Sequence, residues 1–210
     1  LTGLPNRAKI IELVDERLAA GEQPTLLYID FDGFKTVNDL YGHGTGDQAL
    51  VAMAARMMRS LRAGEAVSRL AGDEFLVVLP EMTREGARAA ARRLISYLKA
   101  PLEIDGRQLA MPPSIGVASF PAKTAEELLD AADLAMYKAK RSSGERIAFF
   151  DDELRRKRTR RVQLEQKLRL SVVEMDDFDL HFQPIVTSDR HVCGVEALLR
   201  WCDPILGQVP

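Results

Sequence analysis

The chain has little of what would staple it covalently or anchor it in lipid. Of its 210 residues only Cys193 and Cys202 are cysteines. Two are too few for a disulfide framework, and they lack the Cys/His spacing of a structural zinc site. A reducing, cytoplasmic setting fits. No apolar run approaches the ~20 residues that cross a bilayer, and the amino end lacks the charged, apolar and small-residue order of a signal peptide. A dominant charge is lacking as well. Lys and Arg number 29 against 31 Asp and Glu, so nothing global pulls the chain toward nucleic acid or an anionic membrane, and any anion site must be local. Internal repeats and low-complexity runs are missing, which sets repeat folds aside. What is present, 46% hydrophobic and 29% charged residues, is the balance of a globular protein with a real core, large enough for one domain and a remainder. The chain opens on Leu1 and closes on GQVP, which reads as a piece cut from something longer, with sensor or membrane-anchoring segments conceivable upstream.

Hydrophobic periodicity organises the first 150 residues. Asn6 caps a helix with apolar Ile10, Ile11, Val14 and Leu18, ended by Gly21 and Pro24. TLLYID, Thr25 to Asp30, reads as a doubly buried strand closed by an acid. A short helix around Phe34 to Leu40 follows, then a loop made by the glycines of YGHGTGD. Leu50, Ala54, Met57 and Leu61 mark the buried stripe of another helix, with Asp47 at its entrance. RLAGDEFLVVLP reads as a hairpin with acids near its tip. Thr83 caps an alanine-rich helix through Lys99. Strand material from Arg107 to Phe120 is interrupted at Pro112-Pro113, predicting an edge or a bulge. Thr124 and Glu127 form a capping box for a helix to about Lys140, and IAFF is a last short strand. The economical architecture is one central mixed sheet covered by helices. Beyond residue 150 the chain becomes charged with sparse apolar residues (Leu154, Val162, Leu164, Leu168), a solvated connecting helix over 151–175. Its basic run Arg155 to Arg161 is read as a solvated face.

Asp30 at a strand end and Asp73-Glu74 on a hairpin tip are far apart in sequence, yet neighbouring strands could bring them together. Converging carboxylates repel unless something positive lies between them, and hard oxygen ligands suit Mg²⁺ shared with substrate phosphates. The alternative is that these acids are merely solvated or capping. In the same way Asn38 and Asp47 read either as ligand contacts or as turn and cap residues, Lys35 as a phosphate contact or a solvated side chain, and His43 as a loop hydrogen-bonder.

The motifs resemble those of a known family. DFDGFKTVNDLYGHGTGDQAL is similar to the DxDxFKxxND…GHxxGD signature of GGDEF domains, and RLAGDEF to the motif that names them, with Ala71 for its first glycine. LTGLPNR, SIGVA at 114–118 and ADLAMYKAK at 132–140 match in type and order. Five motifs in register over about 150 residues are specific where a single one would not be. The resemblance implies an α+β, palm-like central mixed β-sheet flanked by helices, similar to nucleotidyl cyclases. It also implies diguanylate cyclase activity, two GTP giving cyclic di-GMP and two pyrophosphates. By resemblance Asp30, the carbonyl of Phe31 and Asp73 are ligands of Mg²⁺, or of Mn²⁺ in its place, and Asp73 or Glu74 accepts the proton. Asn38 and Asp47 read guanine, Lys35 and Lys140 face phosphate, and the backbone at Ala71 and Gly72 approaches the nucleotide. Each domain holds one GTP, so synthesis requires a transient homodimer. Asp32, on the opposite side of an extended chain from Asp30, is a supporting candidate.

Three departures from the family pattern stand out. Ala71 adds a methyl where the backbone nears the nucleotide, at a cost of about 1 kcal/mol if its φ is positive. The family's phosphate-binding arginine falls on Gly144, with Arg146 within reach if the loop is shifted. The product-inhibition motif RxxD, where cyclic di-GMP binds, reads RAGE, with Arg62 and Glu65. These leave a second reading, a GTP-binding domain that adjusts a neighbour without efficient turnover. The tail resembles a different family. LHFQPIV, GVEALLRW and DPILGQVP are similar to the opening of an EAL cyclic di-GMP phosphodiesterase domain, with Gln183 at a ligand contact, Glu196 at a metal ligand and Arg200 at a phosphate contact. The implied organisation is a GGDEF domain over 1–150, a linker helix, and a truncated EAL segment over 176–210 that lacks the residues for hydrolysis. It would be soluble, or the cytoplasmic part of a membrane-anchored sensor.

Overall fold

A computed structural model describes residues 1–142, 144–174, 177–203 and 207–209. The chain divides into two compact units, 1–155 and 156–210. In the first, a five-stranded sheet has the order β2-β3-β1-β6-β7, where β1 is Thr25–Phe31, β2 Ala66–Ala71, β3 Glu74–Leu79, β6 Pro113–Ala118 and β7 Ile147–Phe149. β1 is central and antiparallel to both β3 and β6, while β7 runs parallel to β6. The sheet is therefore mixed, as the hairpin among alternating strands and helices implied.

Every residue of β1 is buried, because helices cover both faces and its side chains alternate between two cores. Leu27, Ile29 and Phe31 pack with α3 (His43–Ser60) and α4 (Arg84–Leu98) through Met53, Met57, Ala91 and Leu94. Leu26 and Tyr28 pack with α1 (Arg7–Ala19) and α5 (Ala125–Arg141) through Ile10, Val14, Leu128 and Met136. Asp30 falls on this second face, past the last apolar layer. α5 comes unusually near the sheet. A β-carbon on Gly116 of β6 would overlap the backbone of Ala132 and Met136, so glycine is what admits the helix. One turn beyond Met136 stands Lys140, carried by that approach over the end of β1.

The helix caps follow the sequence, with Asn6, Thr83 and Thr124 each accepting from the amide three residues on. The capping box is corrected in one detail: the Glu127 carboxylate accepts from Lys123 N, one residue before the cap, at 3.1 Å. Two larger corrections concern glycine and proline. YGHGTGD is not a loop. α2 (Phe34–Tyr41) ends at Gly42, whose φ of +83° turns the chain, and α3 begins at His43 with Gly44 and Gly46 inside it. The prolines mark neither an edge nor a bulge. Pro113 opens the interior strand β6 opposite Phe31, and Pro112 serves through its carbonyl, which accepts from Asp32 N; neither place asks for a proline N–H. The strand material before them includes a separate hairpin, β4 (Leu102–Ile104) with β5 (Arg107–Leu109). Its turn residues Asp105 and Gly106 have φ of +51° and +73°, the positive values an Asp-Gly turn supplies.

In the second unit α6 (Asp152–Glu174), which starts within the first, leads to an antiparallel sheet of order β10-β9-β8. β8 is Phe178–Val186, β9 Val192–Asp203 and β10 Gly207–Val209. Of the DPILGQVP stretch, residues 204–206 and 210 lie outside the described residues, as do 175–176 at the expected end of the linker. Among the described residues no helix is long and apolar enough to cross a membrane.

Candidate active site

The ends of β1 and β6, the tip of the β2–β3 hairpin and the last turn of α5 meet at one edge of the sheet. Asp30 is only 8% exposed and pairs across β6 with Ser114. Its Oδ1 accepts from Lys140 Nζ at 2.6 Å. Asp73 lies in the two-residue turn between Ala71 and Glu74, braced by Arg69, whose Nε donates to the Gly72 carbonyl at 2.8 Å. Burial pushes the Asp73 carboxyl above its ordinary range, and the nearby Asp30 charge pushes it further. The β1–β3 pairing, which ends at Ile29 opposite Phe75, sets the Asp73 turn beside the end of β1 that carries Asp30.

Phe31 offers a third oxygen. Since Asp32 N donates toward β6, the alternation of a strand turns the carbonyl of Phe31 to the β3 side. There the pairing ends at Ile29 opposite Phe75, so this carbonyl lies past the last ladder pair, toward the hairpin tip. Among the described residues no three His, Cys, Asp or Glu side chains gather as a metal cluster. Two carboxylates and one unladdered carbonyl are nevertheless a hard-oxygen donor set, and the ammonium of Lys140 already rests on Asp30. Mg²⁺ or Mn²⁺ fits these residues.

Glu74, first residue of β3, faces the α1–α5 core beside Tyr28. Its carboxyl is raised by burial, against the pull of the Tyr28 hydroxyl that donates to it, and raised further by the charges of Asp133, Asp30 and Asp73. Tyr28 in turn is held far above the phenol range by burial and the Glu74 charge. Asp32 is corrected: two residues on from Asp30, it shares that side of an extended chain and does not lie opposite, and it meets Ser114, the residue paired with Asp30, and Arg146; that guanidinium also donates to Ser114 Oγ at 3.1 Å. Arg146 is therefore near the site, tied to its border. Its neighbour Glu145 reaches the other way, accepting from Arg88 and Arg92 of α4 at 2.6 and 2.8 Å. Sequence reasoning passed over Glu145, Arg88, Arg92 and Tyr28, because only packing reveals these partners.

Asn38 of α2 meets α3 at Gly46, the residue before Asp47. Asn38 Oδ1 occupies the space a β-carbon on Gly46 would need, and Asp47 follows on the exposed side of the helix. Lys35 is exposed on α2. Ala71 is exposed too, and only Asp105 and Arg190 are non-glycine residues with positive φ among those described. Its methyl costs no backbone strain. Glu65 behaves otherwise than a ligand contact. Its carboxylate accepts from Arg62 N at 2.8 Å and pairs with Arg93 of α4 at 2.7 Å, with 6% of the side chain exposed. It is spent inside the domain. In β8 and β9, Gln183 stands opposite Glu196, and Arg200 lies on the same sheet face by the period of two.

Comparison with known proteins agrees with this geometry. A family model described as diguanylate cyclase, GGDEF domain, matches residues 1–146. The bifunctional diguanylate cyclase/cyclic di-GMP phosphodiesterase MucR of Pseudomonas aeruginosa is 35% identical over 100% of this chain and 31% of its own length. The cyclic di-GMP phosphodiesterase NbdA of the same species is 36% identical over 99% of this chain and 27% of its own. The chain thus spans less than a third of these relatives. Among solved structures, the GGDEF domain of PA1120 (TpbB or YfiN) from Pseudomonas aeruginosa is 37% identical, with a TM-score of 0.68, covering 74% of this chain and 95% of that one. With the mixed α+β sheet, the acids at its edge and a family match over most of its length, this chain belongs to the GGDEF diguanylate cyclase domain family.

Proposed function

We propose that the domain condenses two GTP molecules into cyclic di-GMP with release of two pyrophosphates, each of two facing domains presenting one GTP. The observation that carries this is the convergence of Asp30 and Asp73 beside Lys140, at an edge where the Phe31 carbonyl adds an oxygen. Asp30, Asp73 and that carbonyl would hold Mg²⁺ or Mn²⁺. Such a cation, when bound, neutralises triphosphate charge and favours ionisation of the attacking 3′-hydroxyl. Asn38 and Asp47 suit guanine, since a carboxylate accepts from N1 and the 2-amino group while an amide both donates and accepts. Lys35 and Lys140 would meet phosphate oxygens, with the exposed backbone at Ala71-Gly72 alongside. Asp73 or Glu74, both with raised carboxyl groups, would take the proton from the 3′-hydroxyl. The oxygen then bonds to the α-phosphorus of the partner domain's GTP, and pyrophosphate leaves with the electron pair of the broken P–O bond.

A second reading has its own support. Gly144 stands where the family carries an arginine, Arg146 is committed to Asp32, and a relative of similar match is named a phosphodiesterase. On that reading the domain binds GTP and biases a linked phosphodiesterase. We read 1–150 as the GGDEF domain, 151–175 as the connecting helix and 176–210 as the start of an EAL domain; the shared face of Gln183, Glu196 and Arg200 supports the last of these. Cyclic di-GMP would be the ligand of the Arg62–Glu65 loop only if Glu65 were released from Arg93. Incubation of the domain with labelled GTP and Mg²⁺ at high protein concentration separates the readings. Labelled cyclic di-GMP supports catalysis, bound GTP without product supports the regulatory module, and absence of GTP binding contradicts both.

A further inference from the structure

Lys140 has a partner before any phosphate arrives. Its Nζ lies 2.6 Å from Asp30 Oδ1, and the two are unequal: the Asp30 side chain is 11% exposed and that of Lys140 41%. A carboxylate so enclosed needs a counter-charge, because an unpaired buried ion is far costlier than an exposed one. The other cations at this edge are engaged elsewhere. Arg146 is held by Asp32 and Ser114, and Arg69 gives its Nε to Gly72. Asp73 adds negative charge from the hairpin tip, where Lys140 and Arg69 are the cations that act on it.

We propose that Lys140 is a built-in stand-in for the divalent cation: its ammonium neutralises Asp30 in the metal-free domain, an arriving cation evicts it, and the freed arm turns to the triphosphate. The inference rests on the metal-site reading above. The geometry suits an exchange. Asp30 is fixed on a strand paired on both sides and cannot follow, whereas Lys140 hangs a long arm, nearly half in water, from the last turn of a helix whose Met136 and Ala139 are buried. Eviction therefore moves one flexible side chain and leaves the helix in place. It also couples the two ligands. A cation without nucleotide binds weakly because it must first break an ion pair, and a nucleotide without cation meets a lysine already occupied. By linkage each improves the affinity of the other by the same factor.

The test measures Mn²⁺ binding to the nucleotide-free chain by the electron paramagnetic resonance of free Mn²⁺, for the wild type, Lys140→Gln, Lys140→Arg and Asp30→Asn. Lys140→Gln is expected to bind Mn²⁺ roughly fivefold more tightly than the wild type, the scale of one partly exposed ion pair, and to bind a non-hydrolysable GTP analogue more weakly. Lys140→Arg keeps the charge and should bind Mn²⁺ as the wild type does. Equal or weaker Mn²⁺ binding by a folded Lys140→Gln overturns the proposal. Asp30→Asn separates the two levels: if it keeps wild-type Mn²⁺ affinity, the metal-site reading falls and the proposal with it. If it loses that affinity while Lys140→Gln gains none, the site stands and only the lysine exchange is refuted. In the wild type itself, the Lys140 ¹⁵Nζ resonance should shift when Mg²⁺ is added without nucleotide; an unmoved resonance at saturating Mg²⁺ also refutes it.

Discussion

The side-chain oxygen of Asn38 fills the space where Gly46 lacks a β-carbon. α2 and α3 can therefore meet closely where Asn38 touches Gly46, the residue before the exposed Asp47, and the glycine inside the helix admits that contact. Gly46→Ala should displace a half-buried side chain that can rotate away, at small cost to the fold. A GTP analogue should then bind about tenfold more weakly, the scale of one lost hydrogen-bonding group. Titration calorimetry beside thermal melts checks both halves; unchanged nucleotide affinity would detach Asn38 from guanine recognition.

Gly116 makes the opposite case, because what an added methyl meets there is backbone. The carbonyl of Ala132 and the amide of Met136 cannot rotate away, so Gly116→Ala must push α5 off the sheet. Overpacking of this kind costs about 1–3 kcal/mol or more. Urea denaturation should record the loss, and Lys140 should withdraw from Asp30 as its helix moves.

Glu65 and Arg93 form the most enclosed ion pair among the described residues, with side chains 6% and 17% exposed. Removing the acid strands the guanidinium, and breaking such a pair costs about 3–5 kcal/mol. Glu65→Ala should be far less stable than the wild type, while Glu65→Leu with Arg93→Leu recovers much of the loss. A double-mutant cycle by chemical denaturation reads the coupling. Equal stability of Glu65→Ala and wild type would return Glu65 to the surface.

The sheet edge was legible in the sequence wherever a residue type has one dominant use. TLLYID reads as a buried strand because an apolar run of that length has few other homes, and the hairpin around Gly72-Asp73 follows from its turn. Glycine misled. Gly44 and Gly46 resemble a loop by local propensity, yet at Gly46 tertiary packing against Asn38 outweighs a helix cost of about 1 kcal/mol for a glycine. The Pro112-Pro113 pair misled for a related reason, since the penalty of proline depends on whether its missing N–H faces a partner, and here it does not. Glu65 looked like a variant ligand contact because Arg93, its partner, is 28 residues away. No spacing rule links them. The signal for the β4–β5 hairpin, Asp105-Gly106, was present and unused.

Converging acids leave a mark on pH dependence. The folded-state carboxyl of Asp73 titrates above its unfolded value through burial and the Asp30 charge. Its ionised form therefore opposes folding at neutral pH, and the penalty fades as pH falls through the folded-state pKa toward the unfolded value. In metal-free protein Asp73→Asn should melt higher than the wild type at pH 7, by roughly 1–3 °C. The two midpoints should draw together near pH 4. Melts at several pH values in chelator check the sign; a variant that melts lower at pH 7 would mean that Asp73 meets net positive charge.

The most direct measurement is cyclic di-GMP and pyrophosphate release from GTP and Mg²⁺, followed against protein concentration for the wild type and Asp73→Ala. Two facing domains predict a rate per domain that rises with concentration in the wild type and is absent in a variant with an unchanged circular dichroism spectrum. Undiminished synthesis by Asp73→Ala would contradict the assignment of this sheet edge as the site of chemistry.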